Sequence, residues 1–172
     1  PLHYQPEATT YPFGGIFADQ IRALRLLSAS IPENYFIYIK EHPDTFNTSD
    51  QAWSRGDRGR DLNYYKDIHE INKVRFLDIN FNSLDLINKC SQVATIAGAV
   101  GIESLLKNKK VIVFGYPWYC DFPNVINVNK DQKKLKNREC FFDQQPTKSK
   151  TIGSIEEYCR ILFKNEDLKN KG

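Results

Sequence analysis

Short continuous apolar runs alternate along the chain with stretches in which apolar residues recur at helical spacing. The run YFIYIK (35–40) is apolar throughout, which is typical of a parallel strand covered on both faces. Four apolar residues ahead of it recur on one face of a helix: Ile21, Leu24, Leu27 and Ile31. Asp61 then precedes a second periodic stretch and is expected to cap it. The buried stripe of that second helix is predicted to be Leu62, Tyr65 and Ile68.

The same pattern continues to the end of the chain and gives an alternating order of strands and helices. Strands are predicted at 1–7, 35–40, 73–79, 91–98, 109–115 and 124–128. Helices are predicted at 17–31, 61–71, 82–90, 100–108 and 154–165. This alternation is typical of an α/β fold, here a Rossmann-like doubly wound parallel sheet with helices on both faces.

The predicted elements form a single domain that covers residues 1–172. Its core is expected to be 1–129, followed by a Lys-rich surface excursion at 130–150 and a C-terminal helix at 151–166. The sequence contains no methionine and begins Pro-Leu-His. We interpret it as a fragment of a longer protein whose N-terminal domain is missing.

Composition narrows the class of protein without identifying a function. Hydrophobic residues make up 41% and charged residues 26%, as in soluble globular domains. A net charge of +3 is too small to predict nucleic acid as a partner, and no apolar run is long enough to span a membrane. The four cysteines lack a CxxC pair, so we expect reduced thiols and a cytoplasmic protein. The spacing of His, Cys and acidic residues predicts no metal site.

In an open parallel sheet, ligands bind beyond the carboxyl ends of the strands, where the strand order reverses. Polar residues and glycines gather at these predicted ends. The resulting candidates are Gln5, Glu7, Thr9 and Thr10 after the first strand, Glu41, His42 and Pro43 after the second, Asn80 and Asn82 after the third, 98–104 after the fourth, and 115–119 after the fifth. Tyr119 could line a cleft by stacking on a base or sugar, although aromatic residues more often pack in a core.

Among these candidates, the segment IAGAVGIESLL has the most specific sequence pattern. Gly98 and Gly101 bracket a strand-to-helix turn, and the first turn of the helix offers unpaired N–H groups to a phosphate. Glu103, one position before Ser104, could accept hydrogen bonds from ribose hydroxyls. It could equally favour the helix N-terminus electrostatically, with the glycines making a tight turn and nothing more.

His42 and Pro43 allow two interpretations as well. Proline lacks an N–H and ends a strand, whereas a histidine at this position, with Lys40 nearby, could bind a phosphate. The long polar loop 44–61 carries Arg55, Arg58 and Arg60 and could be a flap over an anion or a solvated loop. The other two histidines, His3 and His69, are expected to take no part in a site.

Several of these residues together resemble the bacterial capsular polysaccharide biosynthesis proteins, which include the Kdo transferases of capsule assembly. The similar stretches are LHYQPEATT, then FADQIRALRLLSASIPENYFIYIKEHP, and then SLDLINKCSQVATIAGAVGIESLLKNKKVIVFGYPWY. In order, they contain the patterns H-x-QPE-x-TT, KEHP, G-x-x-G-x-E-S-L and V-I-x-F-G-x-P-x-Y. Together they cover most of residues 2–119.

The resemblance implies the donor-binding, C-terminal domain of a GT-B glycosyltransferase. His42 and Pro43 are similar to the pair that binds the phosphate of a CMP-sugar, with CMP-Kdo as the example. Gly98, Gly101, Glu103 and Ser104 resemble the segment that contacts ribose and phosphate. Gln5, Glu7, Thr9 and Tyr119 would line the cleft.

On the same resemblance, the general base and the acceptor site lie on the missing N-terminal domain, so the catalytic residues are unknown and this chain alone is expected to be inactive. The acceptor would be a saccharide or a lipid-linked glycan, reached by peripheral association of the whole protein with the inner face of the cytoplasmic membrane. No metal and no cofactor beyond the nucleotide-sugar substrate would be required.

Two further interpretations stay open at this point. Nucleotide-sugar 2-epimerases share the fold and could use the same glycine-rich turn. Alternatively, the chain could be a non-catalytic Rossmann-like interaction domain in which His42 and Pro43 only terminate a strand.

Overall fold

The computed structural model describes residues 2–5, 7, 10–46 and 60–131. Four helices lie within this part of the chain: α1 (Gln20–Ser30), α2 (Leu62–His69), α3 (Ser83–Lys89) and α4 (Val100–Leu106). Five strands alternate with them: β1 (Ile37–Ile39), β2 (Val74–Phe76), β3 (Gln92–Thr95), β4 (Lys110–Val113) and β5 (Val125–Asn127). Short 3₁₀ turns are added at Gly15–Ala18 and Pro43–Phe46.

The strands form two parallel ladders. β1 pairs with β2, and β4 lies between β3 and β5. Every pairing is parallel, and each β-to-β connection except the last contains a helix, which is the usual crossover between parallel strands. The predicted α/β Rossmann-like class is therefore confirmed.

Residues 2–5 lie between the two ladders. The Leu2 N–H donates to the Lys40 carbonyl beyond β1 at 2.8 Å, and the Ile96 N–H donates to His3 Nε2 beyond β3 at 3.2 Å. The expected first strand was wrong for these residues, because this single backbone bond does not make a ladder. The position still fixes the order of the sheet: β1 and β2 lie on one side of residues 2–5, and β3, β4 and β5 lie on the other. The strand order thus reverses here, at the place where such folds bind ligands.

Three of the four described helices begin at a residue whose side chain caps them. Asp19 accepts from two first-turn N–H groups of α1, Asp61 from the Tyr64 N–H in α2, and Asn82 from two N–H groups in α3. Leu62 was expected to be buried but is 43% exposed, since α2 packs on the core through Tyr65, Ile68 and the partly buried Tyr64.

One core cluster joins both ladders and two of the helices. It contains residues of α1, α2, β1, β2 and β4, together with Leu2 and Ile96. A smaller cluster packs α4 against β4 through Val111, Val113 and Tyr119. Residues 2–5 are thus anchored on the apolar core at the point of strand reversal.

Some predictions lie outside the described residues. These are Thr9, Arg55, Arg58, and everything after Asp131, which includes most of the expected excursion and the C-terminal helix. Among the described helices, none is long and apolar enough to cross a membrane.

Candidate functional site

His42 lies just past the carboxyl end of β1 and is half-buried. Its ring centroid is 6.0 Å from that of Tyr4, which places the imidazole beside residues 2–5. Pro43 follows it, is exposed, and begins the 3₁₀ turn, with the Thr45 N–H donating to the His42 carbonyl at 3.0 Å. His42 is therefore held at the strand-order reversal by backbone geometry on both sides.

The carboxylate of Glu41 lies beneath His42 and has no solvent exposure. Its Oε1 accepts from the His42 N–H at 3.0 Å and from the Thr45 hydroxyl at 3.3 Å. Its Oε2 accepts from the Tyr65 hydroxyl at 3.0 Å and lies 3.7 Å from an Arg60 nitrogen. A buried carboxylate with this set of partners fixes the turn that carries His42.

Arg60 was considered as a flap residue, and the structure corrects that hypothesis. Its guanidinium is buried, donates to the His3 carbonyl at 2.6 Å, and lies over the Tyr64 ring at 4.4 Å. Burial raises the pKa of Tyr64, so its ring stays neutral beside Arg60. The guanidinium joins α2 to residues 2–5 and does not face an anion in solvent.

His3 was expected to take no part, and the structure places it at the centre of the network. Its Nε2 accepts from the Ile96 N–H and lies 2.8 Å from the Thr95 hydroxyl. Burial chiefly, with the positive charges around it, lowers the pKa of His3 to about 4. His3 is therefore neutral at physiological pH and acts as a hydrogen-bond acceptor that joins residues 2–5 to β3. No local pattern in the sequence marks this role, because it depends on which strand end lies opposite.

The turn from β3 into α4 packs tightly against two aromatic side chains. A Cβ on Gly98 would lie 2.6 Å from His3 Cε1, and a Cβ on Gly101 would overlap the Tyr119 hydroxyl. That hydroxyl donates to the Gly98 carbonyl, and burial raises the pKa of Tyr119 to about 12. The two glycines are needed for close packing, and Tyr119 is buried against the turn rather than open to a cleft.

The two other predicted binding residues of α4, Ser104 and Glu103, differ in their exposure to solvent. Ser104 is fully buried, and its hydroxyl donates to the Val100 carbonyl at 2.6 Å within the helix. Glu103 is exposed on the first turn and follows an Ala99 cap whose side chain makes no hydrogen bond. Glu103 is therefore a polar side chain of α4 that solvent, and hence a ligand, can reach.

Lys40 points elsewhere. Its amine is buried and donates to the Ser83 hydroxyl at 3.2 Å, at the start of α3, and burial lowers its pKa. The Lys40 amine is therefore held by a hydrogen bond to Ser83 and was not found hydrogen-bonded to His42. Asn80 and Asn82 belong to the turn before α3, where Asn82 serves as its cap.

Two of the predicted cleft residues after the first strand are described. The Gln5 amide donates to the Ala18 carbonyl at 2.7 Å, which fixes the chain as it leaves the strand-order reversal. The Glu7 carbonyl accepts from the N–H groups of Thr10 and Tyr11, while its side chain is exposed.

The structure thus brings three predicted segments into one connected network. It runs from Tyr119 and Gly98 through His3 to Arg60, and from Arg60 through Glu41 to His42. Of the residues with predicted roles in donor binding, His42, Pro43 and Glu103 have accessible surface. Lys40 and Ser104 are buried with partners of their own. In the part of the chain that the structure describes, no three His, Cys, Asp or Glu residues come close enough to form a metal site.

A parallel sheet whose strand order reverses beside a histidine-bearing turn defines the chain as a Rossmann-like α/β domain with its candidate site at the reversal. The sequence profile of the family described as capsule polysaccharide biosynthesis protein matches residues 10–147, and the chain belongs to that family.

Among curated proteins, the chain is similar to the capsule polysaccharide modification protein LipA of Neisseria meningitidis, from serogroup B strain MC58 and from serogroup A strain Z2491. Each is 26% identical over 83 residues, which is 48% of this chain and 10% of the relative. The chain therefore matches about a tenth of the length of these relatives. No solved structure matches significantly.

Proposed function

We propose that the chain is the donor-binding domain of a glycosyltransferase of capsular or surface polysaccharide synthesis, and that the donor is a CMP-sugar. Membership of a capsule biosynthesis family supports the pathway. The observation that best supports a donor site is the position of His42. Its half-buried side chain lies on a turn that Glu41 holds by hydrogen bonds, at the point where the strand order reverses.

An imidazole at this position suits the single phosphate of a CMP-sugar. The carboxylate of the preceding residue, Glu41, is fully buried with both oxygens engaged, so it does not present an exposed negative charge to an anion at the His42 ring. A hydrogen bond from His42 to the phosphate would stabilise the CMP leaving group as the glycosidic bond breaks. Glu103 is the exposed group of α4 that could accept from the ribose hydroxyls.

The other residues that were predicted to bind the donor have structural roles in this proposal. Gly98 and Gly101 shape the turn by letting His3 and Tyr119 approach, and Ser104 holds α4 together from inside. The acceptor site and the general base would be contributed by another part of a longer protein, working in the cytoplasm at the membrane surface. Neither a metal ion nor a redox cofactor is part of the proposed transfer.

Calorimetric titration of the chain with CMP, CDP and UDP tests the proposal. We expect CMP to bind, and His42→Ala to weaken that binding about tenfold or more, since an imidazole–phosphate hydrogen bond is charge-assisted. His69→Ala is the matched control, because His69 is exposed on the last turn of α2. A preference for UDP would favour the epimerase or a transferase that uses a different donor. CMP binding that is unchanged in His42→Ala would contradict the proposed phosphate site.

A further inference from the structure

Two neighbouring loops of the described chain expose large apolar side chains. One loop is 11–16, and the other, 116–123, follows β4. The Tyr116 N–H donates to the Phe13 carbonyl at 3.2 Å, and a Cβ on Gly115 would lie 2.6 Å from the same oxygen, so the loops are in direct contact. Six of their side chains are between 44% and 75% exposed and form what we call the aromatic surface: Tyr11, Phe13, Ile16, Tyr116, Trp118 and Phe122.

The fold holds the second loop with its aromatic side chains facing outward. Along this loop, the exposed Tyr116 and Trp118 alternate with the buried Pro117 and Tyr119. The Trp118 ring stands nearly perpendicular to the rings of Tyr119 and Phe122, at centroid distances of 5.6 and 5.4 Å. Because edge-to-face contacts of this kind favour one orientation of the ring, the Trp118 indole is fixed while most of its surface stays in water.

The two loops and the residues beside them carry almost no charge. In the sequence, residues 10–18 contain no acidic or basic side chain and residues 114–128 contain only Asp121, although 26% of the whole chain is charged. Asp121 is paired with Lys130 at 2.6 Å. A solvated surface is normally rich in charged residues, and a saccharide site would need polar side chains to bind the sugar hydroxyls. The composition of these loops instead favours contact with an apolar medium.

The backbone of the loops is suited to the same contact. A backbone N–H without a partner is costly to remove from water. Three positions have no N–H, because they are Pro12, Pro117 and Pro123. The N–H groups of six further residues donate to backbone carbonyls: Tyr11, Gly14, Gly15, Tyr116, Cys120 and Phe122. Most positions of the two loops can therefore lose water without leaving a donor unpaired.

The outward projection of the side chains favours a lipid surface over a protein partner. Aromatic anchors in a protein interface fill matching pockets of the partner, whereas a fluid lipid surface accommodates protruding side chains without such pockets. Trp and Tyr are enriched where a bilayer meets water, since the ring is apolar and its N–H or O–H stays hydrated.

We propose that the aromatic surface binds a lipid bilayer at the level of the headgroups, with Tyr116 and Trp118 at the boundary of the acyl chains. The inference rests on the proposed function in one respect, since it names the surface by which the transferase would reach a lipid-linked acceptor. Residues 2–5 contact the chain just beyond β1 and just beyond β3, so the carboxyl ends of both ladders lie at one edge. Binding through the aromatic surface would bring this edge, which carries His42, close to the headgroups.

The fluorescence of Trp118 tests the proposal, because the chain has two tryptophans and Trp53→Phe leaves Trp118 as the reporter. This variant is mixed with vesicles of phosphatidylcholine and with vesicles that also contain about a quarter of phosphatidylglycerol. We expect the emission to shift to shorter wavelength with both, and brominated acyl chains to quench it. Salt at about 1 M should leave binding to phosphatidylcholine intact, since the contact is apolar and not ionic.

Three further variants of the chain locate the contact by co-sedimentation with phosphatidylcholine vesicles. Trp118→Ala and Ile16→Asp change one residue in each loop, and each should lower the partition coefficient about tenfold or more. Leu106→Ala is the matched control, because Leu106 is 80% exposed but lies at the C-terminal end of α4, away from the turn that follows β3. The Ile16→Asp chain should still bind CMP, so vesicle binding and donor binding are measured independently.

Three results would overturn the proposal. One is the absence of binding to either kind of vesicle, and another is equal partition of all the variants. The third is binding to the anionic vesicles alone that salt abolishes, since the net charge of +3 would then explain it. Self-association in light scattering that Trp118→Ala removes, without vesicle binding, would assign the surface to a second copy of the chain. Vesicle binding without CMP binding would instead support this inference and contradict the proposed donor site.

Discussion

His3 is the residue whose chemistry departs furthest from its expected behaviour. Its ring is buried between residues 2–5 and β3, accepts the Ile96 N–H, and has a pKa lowered from 6.5 to about 4. A neutral imidazole is therefore part of the folded structure, and protonation at Nε2 would remove the acceptor that Ile96 uses. The buried Arg60 guanidinium, bound to the His3 carbonyl, adds a positive charge that opposes protonation further.

This gives a pH dependence with a definite sign. Between about pH 6.5 and pH 4 the unfolded chain holds a proton on His3 that the folded chain lacks, so the free energy of unfolding falls as the pH falls through this range. The full loss is about 3 kcal/mol. His3→Gln, which keeps a hydrogen-bonding side chain without this titration, should flatten the slope in urea denaturation series. An unchanged slope in the variant would show that other groups cause the acid loss.

At the scale of elements, the Glu41–Arg60 contact joins the end of β1 to the start of α2. Both side chains are buried, at 0% and 5% exposure, so removing one charge leaves the other without compensation in a poorly solvated site. Glu41→Gln keeps the shape of the side chain and should lower the free energy of unfolding by about 3 kcal/mol. Urea denaturation of the wild-type chain and the variant at neutral pH measures this difference in the free energy of unfolding.

Asp121→Asn is the control for that prediction. Asp121 pairs with Lys130 at 2.6 Å and both side chains are exposed, so its loss should cost only a small fraction of the Glu41 value. Similar costs for the two variants would mean that the Glu41 charge is not held by burial.

Local sequence predicted the elements well because their causes are local. The periodic apolar residues and the caps Asp19, Asp61 and Asn82 lie within the helices they define, or next to them, and all three helices start where expected to within a few residues. The contacts of His3, Arg60 and Tyr119 could not be predicted, since each depends on a partner more than twenty residues away. The role of Gly101 is of the same kind, because nothing near it in sequence shows that Tyr119 packs there.

The whole molecule combines the turn that holds His42 with two parallel ladders, and residues 2–5 contact the ends of both. The chain matches about a tenth of the length of its curated relatives, so the complete transfer reaction is a property to be tested on a longer protein. We therefore expect donor binding to be a property of this chain alone and glycosyl transfer to be a property of the longer protein. The chain has an accessible His42, but its buried carboxylate Glu41 is fully engaged and is not available as a general base.

We therefore expect the chain alone to bind CMP but to release none from a CMP-sugar, whether or not a glycan acceptor is present. A longer protein that contains this chain should release CMP when the acceptor is added. In it, His42→Ala should lower the rate more than His69→Ala does, because in the proposed reaction His42 would stabilise the leaving phosphate. Chromatographic measurement of free CMP gives both results. Acceptor-dependent release by the chain alone would place the general base within these 172 residues, and release by the longer protein from UDP-sugars alone would assign the site to a different donor.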